Sequence, residues 1–303
     1  MNKLIKIFII DKDSADQRLD KFLKRNFDNL SQSFIEKNLR KKNILLNQHL
    51  TKSNQIIKTD DKITIKNFSE EIYQRFEKKK ITSNINKSHL TNFKKSILYE
   101  NDNFLIIDKW SGIAAQGGSN ITISIDAIIK NMSENYNLVH RLDKETSGLM
   151  IIAKNLQYTR FFGKLFKSKK LKKTYLAICE GVPKIKESYV ELDIKSDIND
   201  KVNQTKTFYQ VLLYNNKTSL IKFVPKTGKK HQLRIVAKNL GCPIVGDQKY
   251  NLNQTKQREN LKLNAFKLEF DIENSVFNIT SALPKDFTDY LKLKNFKFNP
   301  KII

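Results

Sequence analysis

The sequence lacks most of the signals that announce a cofactor, a membrane or a disulfide scaffold. Its two cysteines, Cys179 and Cys242, stand far apart and form no CxxC pair. That argues against a thiol-ligated zinc motif and a cross-linked secreted framework, and predicts a reducing compartment. No apolar run approaches the roughly 20 residues that cross a bilayer. The apolar stretch near the N-terminus ends at Asp11, too short for the core of a secretion signal, so a soluble, cytoplasmic protein is expected. There is no GxGxxG, no P-loop and no HExxH, which removes the dinucleotide, nucleoside-triphosphate and zinc-protease signatures. The four histidines, His49, His89, His140 and His231, are scattered. Neither a metal site nor a cofactor is expected.

Acidic residues are also scarce: 31 Asp and Glu against 56 Lys and Arg leave a net charge of +25. Such a surplus favours a polyanionic partner, because each phosphate that is neutralised releases condensed counterions. A lysine-rich genome would produce the same drift, so charge alone does not identify a nucleic-acid binder. With 303 residues, 39% of them hydrophobic, the chain can bury a large core and a smaller second one.

The pattern along the chain predicts three parts. In residues 16–66, Leu19, Phe22, Leu23, Phe27 and Leu30 recur at helical spacing, and a second helix is predicted from Ser33, with Glu36 completing a capping box. Short strands are predicted at 44–46 and 63–65, and Arg40, Lys41 and Lys42 cluster where the second helix ends. Residues 67–95, including Glu77-Lys78-Lys79-Lys80, read as a charged linker with one exposed helix. From residue 96 to 303 the texture becomes mixed: strands at 104–107, 149–153, 176–179 and 220–224, a looser one at 208–212, and helices around 158–166 and 231–240. Strands outnumber helices without regular alternation, so the fold class is α+β with a mixed, mainly antiparallel sheet.

The stretch with most chemical content is His140-Arg141-Leu142-Asp143-Lys144-Glu145-Thr146-Ser147-Gly148. It is a charged loop between two apolar segments, the kind of sheet-edge position from which catalytic groups act. Arg141 and Asp143 flank a leucine and would share a side of an extended backbone. On the residues alone, an ordinary turn with a surface Arg–Asp pair fits as well. The run resembles the signature loop of the RluA-type pseudouridine synthases, His-Arg-Leu-Asp followed shortly by Thr-Ser-Gly. Three further segments are similar to that family in the same chain order: Lys173-Thr174-Tyr175, Thr227-Gly228-Lys229-Lys230-His231-Gln232-Leu233-Arg234, and Gly241-Cys242-Pro243-Ile244-Val245-Gly246-Asp247-Gln248-Lys249-Tyr250. Upstream, Asp108-Lys109-Trp110-Ser111-Gly112 and Gln116-Gly117-Gly118-Ser119 resemble its opening lysine–glycine loop. Residues 16–66 resemble the alpha-L RNA-binding module, which points to the large-subunit ribosomal RNA branch.

The resemblance implies a catalytic trio: Asp143 as nucleophile, Arg234 as its pairing cation, and Tyr175 against the target uracil. It implies RNA contacts at His140, Arg141, Lys173, Lys229 and Lys230, with Arg40, Lys41 and Lys42 on the small module. The reaction moves uracil from an N1 to a C5 glycosidic bond after base flipping and needs no cofactor; attack at C1′ or C6 stays open. Its substrate would be structured RNA, large-subunit ribosomal RNA or its assembling subunit, and the enzyme a monomer. The competing reading is a silent RNA-binding assembly factor. Four positions depart from the family pattern: Trp110 replaces a proline, Lys229-Lys230 replace Arg-Thr, and Val236 replaces a histidine.

Overall fold

The computed structural model describes the chain apart from residues 1–3, 13, 28–29, 74–84, 119–120, 196–201, 252–258, 273–274 and 301–303. Residues 74–84 of the predicted charged linker, with Glu77-Lys78-Lys79-Lys80, and Ser119 of the opening loop therefore lie outside the described residues. The chain divides into two compact units, Met1–Thr82 and Ser83–Ile303.

The first unit contains β1 (Ile5–Ile9), β2 (Gln17–Arg18), α1 (Leu19–Asn26), α2 (Gln32–Arg40), β3 (Ile44–Leu46), β4 (Ile56–Ile57) and β5 (Lys62–Lys66). β5 pairs antiparallel with both β1 and β3, so the sheet takes in a strand ahead of residue 16. Leu19, Phe22, Leu23 and Phe27, the helical-period residues, are buried together with Ile35, Leu39, Ile44 and Ile63. The cap of α2 differs from the prediction. Ser31, not Ser33, accepts the Phe34 N–H, and Glu36 instead receives the hydroxyl of Ser53. A Ser-x-Ser string offers two caps, and here the first one wins.

The second unit contains α3 (Lys87–Lys95), β6 (Ile97–Glu100), β7 (Phe104–Lys109), α4 (Ile125–Met132), β8 (Asn137–Leu138), β9 (Ser147–Ala153), α5 (Leu156–Lys167), β10 (Lys172–Glu180), β11 (Glu187–Lys195), β12 (Val202–Tyr214), β13 (Thr218–Pro225), α6 (Gln232–Asn239), β14 (Leu263–Ile272), β15 (Ser275–Thr280) and α7 (Lys285–Leu293). Its ten-stranded sheet runs β11-β12-β13-β10-β14-β9-β7-β6, with β15 on β14 and β8 on β9. All pairings are antiparallel except β14 with β9, so the mixed α+β sheet is as expected. That parallel contact is only two residues wide and joins the two halves of the sheet.

Alternation along the strands lets helices cover both faces. Leu233, Val236 and Ala237 of α6 pack on Ala177, Ile221 and Phe223, whereas Phe287 and Leu291 of α7 pack on Leu176, Ile178 and Leu220. Leu233 is thus a core residue. Val236 is fully buried there, which explains why an apolar residue is tolerated at that departure. The helix at the end of the linker, α3, is largely exposed as expected, but Phe93 on it is fully buried against Leu105, Ile107 and Ile128.

Candidate active site

Asp143 lies in the loop between β8 and β9. Leu142 beside it is buried, and the backbone turns back at once through Thr146 N–H to the Asp143 carbonyl, 3.1 Å. The loop ends at Gly148, which has φ +109° and packs on β14; a Cβ there would fall 2.4 Å from the Ala265 carbonyl oxygen. Only glycine permits this approach, so the Thr-Ser-Gly of the motif is a packing requirement. Buried polar groups continue the support: Asn264 Nδ2 donates to Ser147 Oγ (2.9 Å) and Ser281 Oγ (3.2 Å). Ser281 Oγ in turn donates to the Asp108 carboxylate, 2.9 Å.

From the other side the loop is held by β7. Lys109 is fully buried, and its Nζ donates to the carbonyls of Trp110, Ile113 and Lys144 at 3.1, 3.0 and 3.2 Å. Burial pulls its pKa down to about 7, against the charges of Glu145 and Asp143. Three acceptors match the three hydrogens of an ammonium, so Lys109 is an internal staple beneath the aspartate. Ser111 Oγ bonds to the Glu145 carbonyl (2.7 Å) and Gly112 N–H to the Lys144 carbonyl (2.9 Å). Trp110, where a proline is usual, packs partly buried against the adjoining apolar cluster.

Facing Asp143 is the start of α6. Arg234 Nη1 and His231 Nε2 each lie 3.9 Å from its carboxylate. The arginine's other nitrogens are committed elsewhere: Nε and Nη2 grip Asp247 at 2.8 and 2.7 Å. Asp247 also accepts the backbone N–H groups of Lys249 and Tyr250, both 3.0 Å. Burial alone would raise the Asp247 pKa, but Arg234 and these N–H groups bring it below the ordinary carboxylate range. Burial likewise opposes the Arg234 charge, and Asp247, then Asp143 and Glu145, hold it above its ordinary value. The pair is therefore fully ionised, and the expected pairing of Arg234 with Asp143 is its longer, second contact. By contrast, among the described residues no hydrogen bond ends on the Asp143 carboxylate, which is 27% exposed.

Tyr175, on β10, packs between the two apolar clusters that flank the site. Burial, and then the charge of Asp143, push its phenol well above the usual range, so it stays protonated. His231 caps α6 in the left-handed region, φ 55°. Its Nδ1 lies 3.0 Å from the Tyr250 hydroxyl, whose ring also stacks under Arg234 at 5.2 Å. Burial lowers the pKa of His231; Asp143 opposes the shift, and Arg234, Lys249 and Lys230 add to it. Asp247, Tyr250, His231 and Lys109 were quoted in the motifs without roles. The strings mark that such residues recur together, but only the fold shows which pairs they make.

The remaining predicted residues separate. Arg141 is exposed and donates to Gln116, 3.3 Å, rather than to Asp143. Lys229 and Lys230 are exposed on the loop before α6, and Lys173 lies partly buried with Nζ 5.6 Å from the Phe166 ring. His140 turns inward instead: Nε2 accepts the Ile151 N–H at 2.9 Å and the ring lies against Phe166. Burial, then Lys173, hold its pKa down to about 3, so it is a neutral fastening for β9. Arg40, Lys41 and Lys42 are exposed at the end of α2, in the first unit. Among the described residues no group of His, Cys, Asp and Glu could hold a metal ion, and no helix is long and apolar enough to cross a membrane.

A partly exposed carboxylate that accepts no hydrogen bond among the described residues, set against a buried Arg–Asp pair and a protonated tyrosine on a mixed sheet, is an arrangement suited to nucleophilic chemistry. Residues 103–239 match the sequence profile of the RNA pseudouridylate synthase family. The chain is 37% identical to the ribosomal large subunit pseudouridine synthase C of Rickettsia felis, over 93% of this chain and 98% of that protein. It is 39% identical to the same enzyme of Rickettsia bellii, over 77% and 82%. Human RNA pseudouridylate synthase domain containing 4 superposes with a TM-score of 0.60 at 25% identity, over 69% of this chain and 96% of that one. The chain belongs to the RNA pseudouridylate synthase family and is an isomerase that acts on uridine in RNA.

Proposed function

We propose that this enzyme converts uridines of large-subunit ribosomal RNA to pseudouridine, with Asp143 as the nucleophile, Arg234 as the cation that keeps it charged, and Tyr175 as the residue against the flipped uracil. The observation that carries this reading is the contrast between two aspartates around one arginine: Asp247 is saturated with donors, whereas the Asp143 carboxylate has no hydrogen-bond donor among the described residues and is partly exposed. A carboxylate that must form a bond to carbon needs free lone pairs, and the Arg234 guanidinium 3.9 Å away supplies a countercharge for it when a base covers it. Attack at C1′ or at C6 makes the same demand.

Tyr175 enters as a proton-bearing group. Part of what holds its phenol proton is the negative charge of Asp143. Once that carboxylate is covalently bound, the charge is gone and the phenol becomes a stronger acid. The tyrosine then exchanges a proton with the rotated base more readily in the intermediate than at rest. Arg141, exposed beside the nucleophile, would fill the gap left by the flipped base with its planar guanidinium. Lys173, Lys229 and Lys230 would take phosphates at the cleft, and Arg40, Lys41 and Lys42 would do so from the first unit. His140 drops out of the RNA contacts because its acceptor nitrogen is used within the fold.

The ribosomal assignment rests on the names of the Rickettsia relatives, which match over 77% and 93% of the chain. It is tested by incubating the enzyme separately with large-subunit RNA, small-subunit RNA and transfer RNA, then mapping pseudouridine. New pseudouridine confined to large-subunit RNA is expected. Product only in transfer RNA would overturn the assignment, and tight RNA binding without product in any RNA would leave the silent binder.

A further inference from the structure

Behind the sheet that carries Tyr175 lies a groove of about 210 Å³, lined by Lys172, Thr174, Tyr189, Phe208, Lys222, Val224 and Lys226. The strand register places it on the face opposite the catalytic tyrosine. Tyr175 is paired with Phe223 and Phe223 with Tyr209, while the neighbours Val224 and Phe208 pair one step along and continue to Tyr189 on β11. Alternate residues of a strand point to opposite faces, so this second row cannot belong to the active cleft.

Two features of the groove are unusual for an ordinary outer sheet face. Tyr189 is 53% exposed, its ring lies 5.3 Å from that of half-buried Phe208, and Lys206 Nζ sits 5.0 Å over the Tyr189 ring, so an aromatic pair with one cation beside it borders solvent. Around it the ammonium groups are unevenly matched. Lys206 is paired with Glu191 and Lys172 with Glu269, and Glu187 accepts a bond from Gln210. Among the described residues, no side-chain hydrogen bond or ion pair holds the ammonium group of Lys222 or of Lys226. Aromatic rings beside unpaired cations suit a nucleotide, whose base stacks while its phosphate meets the ammonium.

The chain also links the groove to the active cleft. Lys226 ends just before Thr227-Gly228-Lys229-Lys230, the loop that leads to His231 and Arg234. Lys172 and Lys173 are neighbours on β10 with opposite orientations: Lys172 lines the groove, and Lys173 points toward Phe166 and Gly228. Lysines thus continue around the end of the sheet from one face to the other.

We infer that this groove is a second RNA-contact site, which holds an unpaired nucleotide from the strand that leaves the active cleft, its base on Tyr189 and Phe208 and its phosphate on Lys222 and Lys226. The inference rests on the RNA-substrate reading above. It predicts a role in affinity, not in chemistry.

The test uses the full-length enzyme with ribosomal RNA fragments that carry photoreactive 4-thiouridine. Crosslinks to Tyr189 or Phe208 are expected in an Asp143→Asn background, where turnover is irrelevant. In otherwise wild-type enzyme, Lys222→Ser/Lys226→Ser and Tyr189→Ser should each raise KM about fivefold or more, with kcat unchanged. The lysine pair should also reduce the salt dependence of binding by about two charges. Lys184→Ser/Lys217→Ser removes the same charge elsewhere and should have a smaller effect. Equal losses in the two double variants, or no crosslink at the aromatic pair, would overturn the inference. Self-association lost on Tyr189→Ser, without a crosslink, would overturn it in favour of a protein interface. Failure to form pseudouridine would count against the proposed function alone, because the crosslink does not need product.

Discussion

At the scale of single residues, Asp143 and Asp247 share Arg234 on different terms. Asp247 and the guanidinium are both buried and doubly bonded, and removing one partner of such a pair leaves an uncompensated charge. Asp247→Ala is expected to cost about 3–5 kcal/mol and to reduce turnover, because Arg234 loses the anchor that aims it. Urea denaturation and single-turnover assays check both; unchanged stability would contradict the anchor role. His140 gives a pH signature. Its folded pKa is near 3, whereas in the unfolded chain it titrates near the ordinary value of about 6.5. Between these values the unfolded state binds the extra proton, so stability falls as pH drops from about 6.5 toward 3. His140→Gln retains an acceptor for Ile151 but does not titrate. Its loss of stability relative to wild type should therefore shrink on acidification, and denaturation at pH 7 and pH 5 measures the difference.

Among the elements, the strands and helices of high periodicity were legible in advance, including those that bear Tyr175 and Arg234. The buried runs around Leu105, Met150 and Ile178 are apolar because both faces of the sheet are covered. Less legible was α3, a polar stretch with no sustained apolar periodicity to mark a packing face; a single phenylalanine, Phe93, decides its packing. The cap of α2 was misplaced because capping serines repeat two residues apart. In the site, the motif order pointed to Asp143, but not to the partner that takes most of Arg234. Spacing along the chain does not say that Asp247 reaches α6 before Asp143 does. The glycines show why parts of the motifs must be as they are. At Gly246, φ is +79° and a Cβ would lie 2.1 Å from the Asn260 carbonyl oxygen. Gly148→Ala and Gly246→Ala should each cost more than about 3 kcal/mol, through a strained φ and a backbone clash. The first displaces the loop of Asp143 and the second the turn of Asp247, so both should abolish turnover; a folded, active Gly148→Ala enzyme would refute this reading of the loop.

For the whole molecule, a net charge of +25 makes RNA binding a counterion-release process. Lys167, Lys169, Lys170 and Lys173 border the connection from α5 to β10, three of them exposed and the last partly buried. Neutralising all four is expected to weaken RNA binding at least tenfold at moderate salt and to flatten the plot of log affinity against log salt. A salt titration by filter binding checks this, and an unchanged slope would assign the surplus charge to general solubility.

The central claim concerns the chemistry of Asp143, and Asp143→Asn is its sharpest probe, since it removes the charge and keeps the shape. RNA transcribed with uridine tritiated at C5 releases tritium to water as pseudouridine forms. The account predicts release by the wild type and none above background by Asp143→Asn, with the variant folded and RNA binding retained. Release at a comparable rate by both proteins would contradict it.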